Sequence, residues 1–303
     1  MDLPVNLAPV VIFCYNRPWH LRQTVEALQL NTLAPESTLI VYSDGPKQHA
    51  DEPLIQEIRK YLAEIKGFKN VTIINSETNN GLAVSIIKGV SEILRLHKKI
   101  IVLEDDMLST PDFLTFMNEA LETYKPRTDI FSVTAYSPPF EIPSDYKNDL
   151  YLAPRASSWG WGTWREKWEK ADWEVLDFKK LQKDKAFIKK FGLGGADLWP
   201  MLVKQQLGVI NSWAIRWTYC QFQNNAFGVY PVRSKIRNIG TDGSGTNFTF
   251  KTGYYGKNMD PGKLFIDPNL KPDDEIIRSF GAYYRLSFYL KIKNWIKFRI
   301  PLN

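Results

Sequence analysis

The stretch Ile100–Ile101–Val102–Leu103–Glu104–Asp105–Asp106 decides the fold. An apolar run behind the basic flank Lys98–Lys99 reads as a strand buried on both faces. It ends abruptly in three carboxylates, which repel one another and are costly to bury without a positive partner. In an open α/β sheet, ligands bind at the carboxyl ends of the strands. A divalent cation with a polyphosphate would make this acid cluster favourable, because hard Mg²⁺ or Mn²⁺ prefers carboxylate oxygen. The plainer alternative is a strand that runs out into a solvated acidic turn.

Upstream, Val10–Val11–Ile12–Phe13–Cys14–Tyr15 predicts a buried strand, followed by Asn16–Arg17–Pro18 and a helix with Leu21, Val25, Leu28 and Leu30 at helical spacing. Thr38 to Ser43 predicts a second strand that stops at the turn Asp44–Gly45–Pro46. A helix around Leu54–Ile65, a strand at Val71–Ile74, the turn Asn79–Asn80–Gly81 and a helix from about Ala83 to His97 lead into the acidic strand. A helix over Pro111–Tyr124 and a strand at Ile130–Thr134 continue the alternation. This is the pattern of an α/β protein with a mostly parallel sheet and right-handed crossovers.

The texture changes beyond residue 150. Eight of the ten tryptophans lie between Trp159 and Trp217, and the Gly/Ser/Thr-rich loop Thr241–Asn247 follows. With no repeat and no long linker, the reading is an α/β half over 1–135, a tryptophan-rich half over 136–270 packed on it as one compact unit, and a tail over 271–303.

A chain of 303 residues, 44% hydrophobic and 24% charged, has an ordinary globular balance. Cys14 and Cys220 cannot make a disulfide scaffold or a zinc cluster, so a reducing, cytoplasmic setting is expected. No signal peptide and no apolar stretch of spanning length is visible. The whole excess of +6 comes from six basic residues between Arg278 and Asn303, where no acid occurs. Aromatic residues are interleaved with them. That predicts either an amphipathic segment on the inner, anionic face of a membrane or a terminal helix packed on the core. Nucleic acid is not expected as a partner, because the basic character is confined to one terminal segment.

If the strands are parallel, Asn16–Arg17, Asp44, Asn79–Asn80–Gly81 and Glu104–Asp105–Asp106 meet on one edge of the sheet. Arg17 offers a bidentate fork for phosphate or carboxylate. Asp44 could accept from a nucleobase N–H, and Gly81 permits close backbone approach before a helix N-terminus. Neither of the common glycine-rich phosphate loops is present, so a metal-held diphosphate fits better than one cradled by glycine amides.

These pieces, in order, give the resemblance. Val11 to Pro18, Val41 to Gly45, Ile100 to Met107 with Pro111–Asp112–Phe113, Ile130 to Ala135, and Leu150–Tyr151 with Ser158 to Trp164 resemble nucleotide-sugar glycosyltransferases of the GT-A fold. In particular they are similar to the N-acetylglucosaminyltransferase I type and to bacterial family-2-like enzymes, over about residues 8–245. The resemblance implies a hexosyl- or N-acetylhexosaminyltransferase of polysaccharide biosynthesis. Its donor would be a UDP-sugar, its cofactor Mn²⁺ or Mg²⁺, and its acceptor a hydroxyl of a glycan or lipid-linked glycan. Asp106 would ligate the metal. Glu104 and Asp105 would hold ribose, base or metal-bound water, and Arg17 and Asp44 would line the nucleoside pocket. Trp159 and Trp161 would sit near the donor sugar, a role that aromatic faces suit independently.

Inverting relatives place an acidic base in a segment whose counterpart here, Asn211 to Trp217, has no carboxylate. Asp197 and Asp242 are the candidate bases, with Asp172 and Glu174 behind them. His20, His49 and His97 all lie in the first third of the chain, so no late histidine completes a metal site, which favours inversion. Arg233, Lys235 and Arg237 either neutralise the departing diphosphate or form the solvated face of an edge strand. Two rivals remain: a sugar nucleotidyltransferase, and a non-catalytic glycan-binding relative.

Overall fold

The computed structural model describes residues 6–244 and 259–300. Gly245–Asn247 of the Gly/Ser loop and the last three residues of the tail lie outside them. The strands are β1 (Val10–Cys14), β2 (Thr38–Ser43), β3 (Asn70–Asn75), β4 (Lys99–Glu104), β5 (Met107–Ser109), β6 (Ile130–Thr134), β7 (Leu150–Ala153), β8 (Trp161–Trp164), β9 (Phe227–Pro231) and β10 (Ile236–Asn238). The helices are α1 (Pro18–Gln29), α2 (Glu52–Ala63), α3 (Leu82–Leu96), α4 (Phe113–Tyr124), α5 (Arg165–Trp168), α6 (Phe178–Leu181), α7 (Lys185–Phe191), α8 (Leu198–Gln206), α9 (Trp213–Gln223), α10 (Asp274–Tyr283) and α11 (Phe288–Phe298).

Eight strands form one sheet in the order β3-β2-β1-β4-β8-β6-β9-β7. The first four are mutually parallel, β8 runs against both β4 and β6, and β7 runs against β9. The later half therefore does not pack on a finished sheet. It completes the sheet, with β8 inserted between β4 and β6.

Alternating side chains divide between two cores, as the two-residue period of a strand requires. Val10, Ile12, Cys14, Ile101 and Leu103 pack against α1, α2 and α4. Val11, Phe13, Ile100 and Val102 face α3 and the tryptophans of β8, α5 and α9. Burial on both faces explains the uninterrupted apolar runs. A third cluster joins α6 to α9, and a fourth seats Ile276 and Phe280 of α10 on Tyr151 and Tyr230. The first turns of the tail are thus core-packed, which corrects a membrane role for residues 278–283.

Candidate functional site

The register aligns the carboxyl ends of the parallel strands: Cys14 lies beside Ser43, Ser43 beside Asn75, and Phe13 beside Glu104. Each strand then hands its polar residues to the same edge. Asp105 and Asp106 form the turn between β4 and β5, and both are buried. Thr24 of α1 fixes that turn, donating its hydroxyl to the Asp105 carbonyl at 2.8 Å and accepting from the Met107 amide at 2.9 Å.

Arg17, which precedes Pro18 at the start of α1, pairs with both aspartates: with Asp105, and with Asp106 Oδ2 at 2.8 Å. Although burial opposes its charge, the two carboxylates raise the guanidinium pKa. Burial pushes Glu104 up to about 8, with Asp106 and Asp105 adding to the shift. Burial likewise raises Asp105, against the opposing pull of Arg17. Asp105 and Asp106 thus share one guanidinium, and Glu104 beside them holds its proton at neutral pH.

The other face of Asp106 is closed by the distant β10, which pairs antiparallel with β5. Asn238 donates its side-chain amide to Asp106 Oδ1 at 3.1 Å, and the Ile239 amide donates to the Asp106 carbonyl at 2.8 Å. Gly240 follows so closely that a Cβ there would lie 2.1 Å from Asp106 Oδ2 and 2.6 Å from Arg17 Nη1. Two residues on, Asp242 Oδ2 sits 3.1 Å from His20 Nε2, one turn along α1 from Arg17. Hydrogen bonds from Ser244, then the nearby His20, lower the Asp242 pKa to about 2.

Asp44 lies next along the edge. Its carboxylate accepts the amides of Gly45, Asn80 and Gly81, each at 3.0 Å, and so organises the turn into α3. Gly81 there has a φ of 72°, which favours glycine. Asn16 donates to Asp51 at 2.9 Å, and Tyr15 donates to the same carboxylate at 2.6 Å. These two bonds, from Tyr15 and then Asn16, lower the Asp51 pKa.

The tryptophans separate. Trp159 is half-buried beside Tyr136, ring centroids 4.4 Å apart. Trp161 is only 1% exposed and stacks on Trp168 and Trp213, which makes it a core residue rather than a sugar platform. Asp197 is held in a bidentate pair with Arg155, at 2.7 and 2.9 Å, and that guanidinium lies over the Tyr284 ring at 3.8 Å. Lys235 is fully buried and donates to Asp112 at 2.8 Å, so neither reading of it, phosphate partner or solvated edge, fits. Asn238, Gly240 and Asp51 were not singled out in the sequence, and His20 was read there only as too early to complete a metal site. The one signal available was the tight Gly240–Thr241–Asp242–Gly243 turn directly after β10.

The glycosyl transferase family 2 model matches residues 10–191, more than half of the chain, from β1 through the acidic triplet to α7. The chain belongs to glycosyl transferase family 2. Its α/β sheet has the GT-A architecture that the order of its motifs led us to expect. Among solved structures it is similar to the mannosyltransferase PcManGT from Pyrobaculum calidifontis in complex with GDP-Man and Mn²⁺, at 13% identity, with 56% of this chain and 48% of that chain covered and a TM-score of 0.37. S. aureus TarS matches at 11% identity, 78% and 37% coverage and a TM-score of 0.42. An active-site mutant of LgtC matches at 12% identity, 70% and 69% coverage and a TM-score of 0.38. The chain spans about half or less of the first two proteins, and the likeness is loose. No curated protein matches significantly.

Among the described residues, no three His, Cys, Asp or Glu side chains converge to enclose a metal. The hard oxygen donors, with two aspartates to one guanidinium, nevertheless suit a divalent ion that takes most of its ligands from substrate and water.

Proposed function

We propose that this family-2 enzyme transfers a hexosyl or N-acetylhexosaminyl group from a UDP-type nucleotide sugar to a hydroxyl of a glycan or lipid-linked glycan, with inversion, in cytoplasmic polysaccharide biosynthesis. The observation that carries the reading is the convergence of Arg17, Asp105, Asp106 and Asn238 at the carboxyl edge of the parallel strands. Asp106 would hold Mn²⁺ or Mg²⁺, with Glu104 and Asp105 beside it. That ion, when bound, offsets the charge of the leaving diphosphate. Arg17 orients the carboxylates and offers its remaining N–H groups to phosphate oxygen. Asp44, Asn80, Gly81 and Asn16 border the nucleoside end of the edge, and Trp159 lies toward the sugar. The two free, buried cysteines fit a reducing compartment.

For the base we favour Asp242 over Asp197. Asp242 follows directly on the segment that abuts Asp106, whereas both oxygens of Asp197 are engaged by Arg155. Asp242 is ionised at neutral pH but weakly basic, so it would take the acceptor proton through position more than basicity. The engagement of both carboxylates favours a second reading, a donor-binding relative without turnover.

Thermal unfolding with UDP, GDP and their sugar conjugates, with and without Mn²⁺, tests the proposal. A matching nucleotide at 100 times its Kd stabilises by about 2.7 kcal/mol. Failure of every nucleotide diphosphate to stabilise the protein in Mn²⁺ would sink it. Stabilisation without donor hydrolysis or transfer to any glycan would support the second reading.

A further inference from the structure

Helix α11 carries its polarity reversed. A surface helix ordinarily turns apolar residues to the core and polar ones to water. Here the one side chain buried in α11 is Asn294, whereas Phe288, Tyr289, Trp295 and Ile296 are 74%, 70%, 47% and 60% exposed. At 100° per residue, Phe288, Tyr289, Ile292 and Ile296 fall on the face opposite Asn294. Lys293, Lys297 and Arg299 are exposed at its flanks, and no acid occurs from Arg278 onward.

The helix is not a loose tail. Phe298 and Ile300 pack into the cluster of α7, α8 and α9, and Lys204 of α8 lies over the Phe298 ring at 5.3 Å. Burial and then the nearby Lys293 lower the Lys204 pKa, so cations of two adjacent helices lie close together. The outward apolar stripe is thereby held in fixed register against a folded, basic support. Its 11 residues span about 16 Å, far short of a bilayer. No helix among the described residues is long and apolar enough to cross one.

We propose that α11 docks the protein on an anionic phospholipid surface, lying in the membrane plane with Phe288, Tyr289, Trp295 and Ile296 at the acyl–headgroup boundary. Lys293, Lys297 and Arg299 extend their apolar stems alongside and place their charges at the phosphates. Charge decides against a second copy as the occupant. A two-fold pairing of this face would bring the same cations together, whereas anionic lipid neutralises them. The docking is independent of which donor or acceptor the enzyme uses.

Flotation of the full chain with phosphatidylcholine vesicles, with and without phosphatidylglycerol, at low and high salt, tests this. The protein is expected to float with the anionic vesicles and to lose binding as salt rises. Replacing Phe288, Tyr289 and Ile296 together by serine should weaken partition about tenfold or more, and Lys293→Glu with Lys297→Glu should do so at low salt. All five side chains are exposed, so both variants should keep the melting temperature and the nucleotide binding of the parent. Absence of flotation on anionic vesicles, or equal flotation of the serine variant, would overturn the proposal. So would a concentration-dependent dimer that the serine variant abolishes in a protein that does not float.

Discussion

The side-chain amide of Asn238 donates to Asp106 across 132 positions of sequence. The carboxylate that we propose as the metal anchor is therefore shared between a strand end in the first half of the chain and a short strand, β10, in the second. Burial on this scale raises the energy of each carboxylate, and Asn238 and Arg17 are the groups that compensate Asp106 in the absence of ligand.

Asp106→Ala is expected to abolish metal-dependent donor binding while the fold persists. Loss of the bonds from Arg17 and Asn238 is opposed by relief of carboxylate repulsion, so unfolding free energy should move by no more than about 1–2 kcal/mol. Calorimetry of UDP binding with and without Mn²⁺ checks this; unchanged affinity would refute the metal-anchor role.

Gly240→Ala places a methyl 2.1 Å from Asp106 Oδ2 and 2.6 Å from Arg17 Nη1. One of the two must move, and a displacement near 1 Å in a positioned site can cost about a hundredfold in rate. We expect turnover to fall by that order with a much smaller change in Tm. A variant with parental kcat and KM would show that the Gly240 approach has no bearing on the chemistry.

Asp242→Asn should lower transfer by about 10²–10⁴ with donor affinity spared. Asp197→Ala should act on stability instead, costing up to about 3 kcal/mol, because it leaves the largely buried Arg155 guanidinium, 13% exposed, without its carboxylate. Parallel kinetic and urea-unfolding measurements separate the two roles. If Asp197→Ala abolished transfer in a protein of parental stability, the choice of base would be reversed.

The Asp242 shift also fixes a sign. Its pKa falls from an ordinary 3.8 to about 2 on folding, so its stabilisation is present above 3.8 and disappears as pH drops toward 2. The carboxylate is 41% exposed, so solvent screening keeps the effect small. Unfolding curves of the parent and Asp242→Asn should separate above 3.8 and merge at the acid end of that window.

Lys235 and Asp112 form a structural pair, with Lys235 also donating to the carbonyls of Asp260 and Gly262. Asp112→Ala strands a fully buried ammonium and is expected to cost about 3–5 kcal/mol. The double change Asp112→Leu with Lys235→Met should recover much of that loss, since removing both charges avoids the unpaired one. A double change as destabilised as Asp112→Ala alone would contradict this account.

The sequence by itself determined the parallel half of the sheet and where its ligand edge lies. Runs such as Val10–Cys14 and Ile100–Leu103 are apolar at every position because both faces are buried; Pro9 precedes the first, and the acidic triplet ends the second. Thr38–Ser43 and Ile130–Thr134 stand where the pattern predicted them. The carboxyl ends then follow from parallel pairing, which is why Arg17, Asp44 and the triplet were legible as one edge. Only the tertiary structure decided what each polar or aromatic residue does there. Trp159 and Trp161 are two apart in sequence, yet one is half-exposed and the other is stacked in the core. Asp197 and Asp242 are both plain aspartates, and their surroundings differ because one meets Arg155 and the other His20. Lys235 and Lys293 are both lysines, one sealed on Asp112 and the other at the rim of an outward apolar helix. Such partners come from chain segments up to 222 positions apart. Periodicity reports which face of an element is apolar, and it carries no information about which distant element that face will meet.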